Sequence, residues 1–314
     1  MTGVLGFALA CAAVAFSAGG FVSLPAWALA TASRRLPLPA ARRADLALFA
    51  GVLPGLVAAG VLAGVATPSL LDALGVRPDH CGGHDHHVHL CVVHAATIPA
   101  RLAGLGALAA VVLAVRAGAV FAGLVRMGRR LSALERLGRV EGDVVRLPGS
   151  PRLCHAVGLL RPRVLVSDSL ARAVAADQLA AALSHERAHL RRRDPLALAL
   201  LTLASFAALP WVARAATAAF REAAEEAADA DAARAHGAVG VAEALLSVAR
   251  LQTRLPLLAF GGEGLERRVR ALLADAPAAR GYGPGLVLAG TIAGIAAAVL
   301  ASEPLHHAVE TLLG

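Results

Sequence analysis

Four apolar runs decide what this chain can become. Residues 3–23, 45–66, 102–125 and 284–301 are long, apolar and nearly free of charge. About 20 apolar residues in a helix cross the hydrocarbon core of a bilayer, and each run approaches that length. No water reaches the core to satisfy open backbone groups, so runs of this kind must be helical. Composition agrees: 57% of the 314 residues are hydrophobic and the mean hydropathy is +0.65, too apolar for an ordinary soluble domain. No positive charge precedes the first run, so it reads as a retained span ending near Pro25, despite the cleavage-like Ala28-Leu29-Ala30.

Arginines order the spans. All 30 basic residues are arginine. Arg34, Arg35, Arg42 and Arg43 separate the first two runs, and Arg126, Arg129 and Arg130 follow the third. Residues 67–100 carry only Arg77, and the tail beyond the last run has none. The positive-inside rule then predicts a multi-pass membrane protein with both termini outside the cytoplasm. Residues 1–125 would hold three spans and an extracellular loop at 67–100. Residues 126–283 would form a cytoplasmic domain, and 284–314 the last span with a short extracellular tail. The net charge of +8 follows from this layout; no basic stripe interleaved with aromatics exists, so no direct nucleic-acid contact is expected. Arg116 lies mid-span, where burial costs roughly 2.5–3.5 kcal/mol on insertion scales, so it should face other helices or water.

The cytoplasmic region carries His185-Glu186-Arg187-Ala188-His189 inside an apolar, helix-forming run. Residues four apart share a helix face, so both imidazoles can turn to one metal ion. Glu186 is then placed to act as general base on a water, the pattern of a zinc peptidase. Upstream, Asp143–Leu147, Leu153–Val157 and Arg163–Ser167 read as short strands, punctuated by Gly149-Ser150-Pro151 and Leu160-Arg161-Pro162. Arg163–Ser167 is the expected edge strand, able to take a substrate backbone as an added strand. The motif helix should span about 176–193.

A catalytic zinc takes three protein ligands and keeps one position open. The third is sought in the alanine-rich helix around 220–229, where Glu222, Glu225, Glu226 and Asp229 share a face. Taken alone, that face reads as solvated; beside the motif it becomes a ligand source. The run Leu196–Val212 lies between the two. One crossing there would put motif and acidic helix on opposite sides, so we expect a buried or re-entrant helix broken near Pro210-Trp211.

Three segments resemble the BlaR/MecR family of membrane metallopeptidases. They are His155–Val166 with Gly158 and Arg161-Pro162, Leu183–Leu196 with Asp194 five residues past His189, and Glu225-Glu-Ala-Ala-Asp229. The resemblance implies an α-helical membrane protein of about four spans, with a small cytoplasmic α+β gluzincin-type domain. It implies one catalytic zinc on His185, His189 and Glu225, with Glu186 as base. Asp229 would orient a zinc-bound histidine, and Asp194 would hold the helix end or pair with its neighbouring arginines. It also implies a protein substrate, a small winged-helix repressor. The penicillin-binding sensor domain of the family is not expected: the chain has no SxxK motif, so sensing by acylation has no support.

The 67–100 loop holds six of the 12 histidines within 15 residues. His84, His86, His87 and His89, with Cys81 and Cys91, are candidate ligands for a second transition-metal ion. A Cys81–Cys91 disulfide is the competing account. The leading functional reading is a membrane zinc endopeptidase cleaving a cytoplasmic protein. A housekeeping membrane protease and a metal-responsive receptor with a relaying, non-proteolytic zinc domain are the alternatives.

Overall fold

A computed structural model describes residues 3–76, 90–92, 100–149, 152–159, 161–252, 262–274, 281 and 283–313. The histidine-rich segment 77–89, with Cys81, His84, His86, His87 and His89, lies outside the described residues.

The four apolar runs are helices. α1 (Gly3–Ser33), α2 (Ala40–Ala73), α3 (Ala100–Leu137) and α9 (Gly283–Leu300) are each long and apolar enough to cross a membrane. The chain is a mainly helical, multi-pass membrane protein with a small α+β domain. α1 does not stop near Pro25 as expected but runs on to Ser33. In lipid, breaking a helix exposes several backbone groups, whereas continuing it past a proline frees only one or two. α3 likewise continues past 125 to Leu137, and the tail forms its own helix, α10 (Ser302–Leu313), packed on α2.

The α+β domain begins with a four-stranded sheet of β1 (Arg139–Glu141), β2 (Val144–Leu147), β3 (Cys154–Val157) and β4 (Arg163–Ser167). The strand order is β1-β2-β4-β3, with β2 and β4 parallel and the outer pairs antiparallel. This corrects one expectation. Arg163–Ser167 is a central strand and β3 is an edge. The run Val164-Leu165-Val166 is buried on both faces, which is what a central strand requires. A short α4 (Asp168–Ala171), capped by Ser167, leads into α5 (Ala176–Arg192), the motif helix. Val144, Val164, Val166 and Leu170 pack with Leu179, Leu183 and Leu190 and fix α5 on the sheet.

α6 (Asp194–Ala204) is the fifth apolar run, too short to cross. The chain breaks over 205–209, before Pro210. Pro210 does not break a helix; it starts α7 (Pro210–Gln252), where its missing N–H costs nothing. α7 changes direction at Gly237, whose φ of 74° and ψ of 154° suit glycine alone. α6 sits tightly against α2. A Cβ on Gly51 would collide with Leu201 Cδ2, and one on Gly55 would meet the Ala204 carbonyl oxygen at 2.7 Å. Such small-residue contacts are how membrane helices approach closely. Arg116 donates to the Ser205 carbonyl oxygen at 2.5 Å, satisfying a backbone acceptor just past the end of α6.

α8 (Gly262–Leu273) closes over α7 through Val269 and Leu272. Arg34 and Arg43, at the α1–α2 connection, pair with Glu222 and Glu226 of α7. That connection and the α+β domain therefore lie at the same end of the span bundle.

Candidate metal centre

α5 turns His185 and His189 to one side, as the four-residue spacing demands, and both are buried. α7 packs along α5 and brings Glu225 against them. His185 Nε2 lies 3.1 Å from His189 Nε2 and 3.4 Å from Glu225 Oε2; His189 Nε2 lies 3.7 Å from Glu225 Oε1. Among the described residues this is the group of three whose ligand atoms converge, all within 4.8 Å of one another.

The second ring nitrogens explain why the first ones converge. His189 Nδ1 is 2.7 Å from Asp194 Oδ2, and His185 Nδ1 is 2.9 Å from Asp229 Oδ1, which approaches off the line of the N–H. Each carboxylate favours a proton on Nδ1, which leaves a lone pair on each Nε2. Two lone pairs 3.1 Å apart repel unless a cation stands with them. A tetrahedral zinc with bonds of about 2.0–2.1 Å holds its ligands about 3.3 Å apart, and the three separations here bracket that value. The residues therefore fit a divalent metal.

Electrostatics point the same way. Burial alone would lower the His185 pKa, but Asp229 and Glu225 outweigh it and raise the imidazole to about 10. His189 also rises: burial opposes, and Asp194 and Glu225 prevail. Burial would raise both acids, yet His185, His189 and Arg268 pull Glu225, and Arg268 and His185 pull Asp229, below the usual carboxylate range. Without a metal, the carboxylates hold protons on the imidazoles; the pocket is built for positive charge.

Asp194 is five residues past His189 and reaches it because Arg193 adopts a left-handed conformation, φ 55°. The chain folds back there, and α6 starts with its first carboxylate against the ring. Arg192 Nε also contacts Asp194, at 3.3 Å, so the helix-end pairing and the histidine contact coexist.

The acidic face of α7 divides. Glu222 and Glu226 turn to Arg34, Arg43 and Arg267, whereas Glu225 and Asp229 turn to the histidines. Glu186 Oε2 accepts from the Ala156 N–H of β3 at 2.7 Å, so the carboxylate lies against the open edge of the sheet.

Sequence reasoning missed Arg268. This largely covered side chain of α8 donates to both oxygens of Asp229 at 2.7 Å and lies 2.9 Å from Glu225 Oε2. Its only sequence signal is an amphipathic helix bearing Arg267, Arg268 and Arg270, which reads as a solvated face. His306 and His307 meet Glu310 on α10, away from this cluster.

Residues 147–270 match the family model of the BlaR1 peptidase, M56. The matched segment, 124 of the 314 residues, is similar to M56 peptidases. It contains every residue of the cluster, from Ala156 of β3 to Arg268 of α8. No curated protein and no solved structure matches the chain. The matched segment thus joins a likeness to a peptidase family to a donor set compatible with a metal, at one end of a multi-pass bundle.

Proposed function

We propose that this protein is an integral-membrane zinc endopeptidase whose α+β domain faces the cytoplasm and cleaves a protein there. The observation that carries the reading is the convergence of two imidazole Nε2 atoms and one carboxylate at 3.1, 3.4 and 3.7 Å. His185, His189 and Glu225 would hold the ion. When bound, zinc supplies Lewis acidity, polarising the scissile carbonyl and making a water acidic enough to ionise near neutral pH.

The chain's own residues do the rest. Glu186 takes the proton of the attacking water and returns it to the leaving amine. Asp229 and Asp194 hold the two imidazoles in the Nδ1-protonated form. β3 offers its open edge to an extended substrate backbone, beside Glu186. To reach a substrate there, Glu186 must exchange its bond with Ala156. By family resemblance the substrate is a small winged-helix repressor, so cleavage would release transcription.

Glu186→Ala tests the reading. Purified protein should keep its zinc and lose cleavage. Comparing protein termini in cells carrying wild type and Glu186→Ala should reveal one cytoplasmic protein with a new terminus. A variant that cleaves as before, or wild-type protein without zinc, overturns the proposal.

A further inference from the structure

Beside the metal centre lie two connected cavities that the peptidase reading does not use. The first, of about 500 Å³, is an apolar groove between the starts of α2 and α9, walled by Phe49, Leu53, Leu286, Val287 and Gly290. Its size falls in the range of small-molecule sites, roughly 300–1,000 Å³. The second, of about 1110 Å³, lies behind the metal centre among the α1–α2 connection, the end of α5, α7, α8 and the start of α9. Leu38 and Gly283 line both, so the groove opens into the cavity.

The cavity carries a surplus of positive charge. Six arginines line it, Arg43, Arg191, Arg192, Arg193, Arg234 and Arg268, against the carboxylates Glu226, Asp229 and Asp231. Five of the six are bound to carboxylates: Arg43 to Glu226, Arg191 and Arg234 to Asp231, Arg192 to Asp194 and Arg268 to Asp229. Arg193 has no carboxylate partner among the described residues. Neither has Arg42, which lines the groove. A guanidinium fork suits phosphate oxygens.

Depth decides the ligand. α2 enters the bundle at Ala40 and α9 at Gly283, so the cavity sits where spans meet the membrane surface, and the groove runs from it along the spans. A basic cavity at headgroup level opening into an apolar furrow matches a phospholipid. We propose that this is a binding site for an anionic phospholipid of the leaflet on the peptidase side. Its headgroup lies in the arginine cavity and one acyl chain in the α2–α9 groove.

The test uses the full chain carrying Glu186→Ala, so that lipid binding is read apart from catalysis. The protein is reconstituted in nanodiscs of phosphatidylcholine with a minority of phosphatidylglycerol, then released, and retained lipid is counted by native mass spectrometry. Phosphatidylglycerol should be retained in preference to phosphatidylcholine. Arg42→Gln should lower its retention roughly 5-fold. Gly290→Leu puts a side chain into the groove, where a Cβ meets nothing within 4 Å, and should lower retention of both lipids. Zinc content, measured on the same samples, should stay unchanged and reports an intact fold. Equal retention of the two lipids, or full retention in both variants, overturns the site. Absence of zinc from all samples would strike the peptidase reading instead.

Discussion

The two ends of this molecule each bury histidines beside carboxylates, yet they use them differently. At the peptidase end, Asp194 and Asp229 take the Nδ1 atoms, and the Nε2 atoms of His189 and His185 converge with Glu225. At the far end, His306 Nδ1 is 2.8 Å from the Val65 carbonyl oxygen of α2, and its Nε2 is 3.1 Å from Glu310 Oε1. Glu310 also accepts from the Leu90 N–H at 2.9 Å. The first arrangement leaves lone pairs aimed at a common point. The second sets an imidazole between a carbonyl and a carboxylate, tying α10, α2 and the segment around Leu90 together. A histidine near an acid is therefore no sign of a metal by itself; the target of its second nitrogen decides.

Deleting one histidine from each end breaks the comparison most directly. His189→Ala should abolish zinc binding in purified protein, and His306→Ala should leave zinc content unchanged. Loss of metal in both would mean that the far end is coupled to the site.

The carboxylates behind the ligands should act more gently. Asp194→Asn, Asp229→Asn and Arg268→Ala should each weaken zinc about 10–100-fold, measured by competition with a chelator. Arg268 belongs in this set because it holds both Asp229 and Glu225. An affinity unchanged in Asp229→Asn would remove the argument that Nδ1 partners orient the rings.

The smallest effect concerns stability at the far end. Burial would raise Glu310, but His306 and the Leu90 N–H hold it down at about 2. Burial would lower His306, but Glu310 and the Val65 carbonyl raise it above its ordinary 6.5. A depressed acid stabilises above its ordinary value of 4.5, and that contribution fades as pH falls toward about 2. A raised histidine stabilises below 6.5, and that contribution fades as pH climbs through its raised value. The clasp is thus strongest between those ordinary values. Glu310→Gln should cost about 1–3 kcal/mol there and flatten the pH dependence of thermal unfolding, with zinc affinity unaltered.

Features that depend on local geometry are legible in the letters of the chain. Apolar runs of span length specify helices, because lipid offers backbone groups no other partner. Four-residue spacing puts His185 beside His189, and Glu225 one turn before Asp229, on any helix. Tertiary structure decided the rest. On an unbroken helix Asp194 would lie about 140° around from His189. The left-handed Arg193 alone brings it back, and nothing in the letters of that residue announces such a conformation. Strand order is set by pairings between distant segments, so Arg163–Ser167 passed for an edge until β3 paired outside it. Arg268 lies 39 residues beyond Asp229, and only the packing of α8 on α7 joins them. Local spacing is fixed by the repeat of the helix, whereas contacts between elements depend on how whole surfaces bury one another.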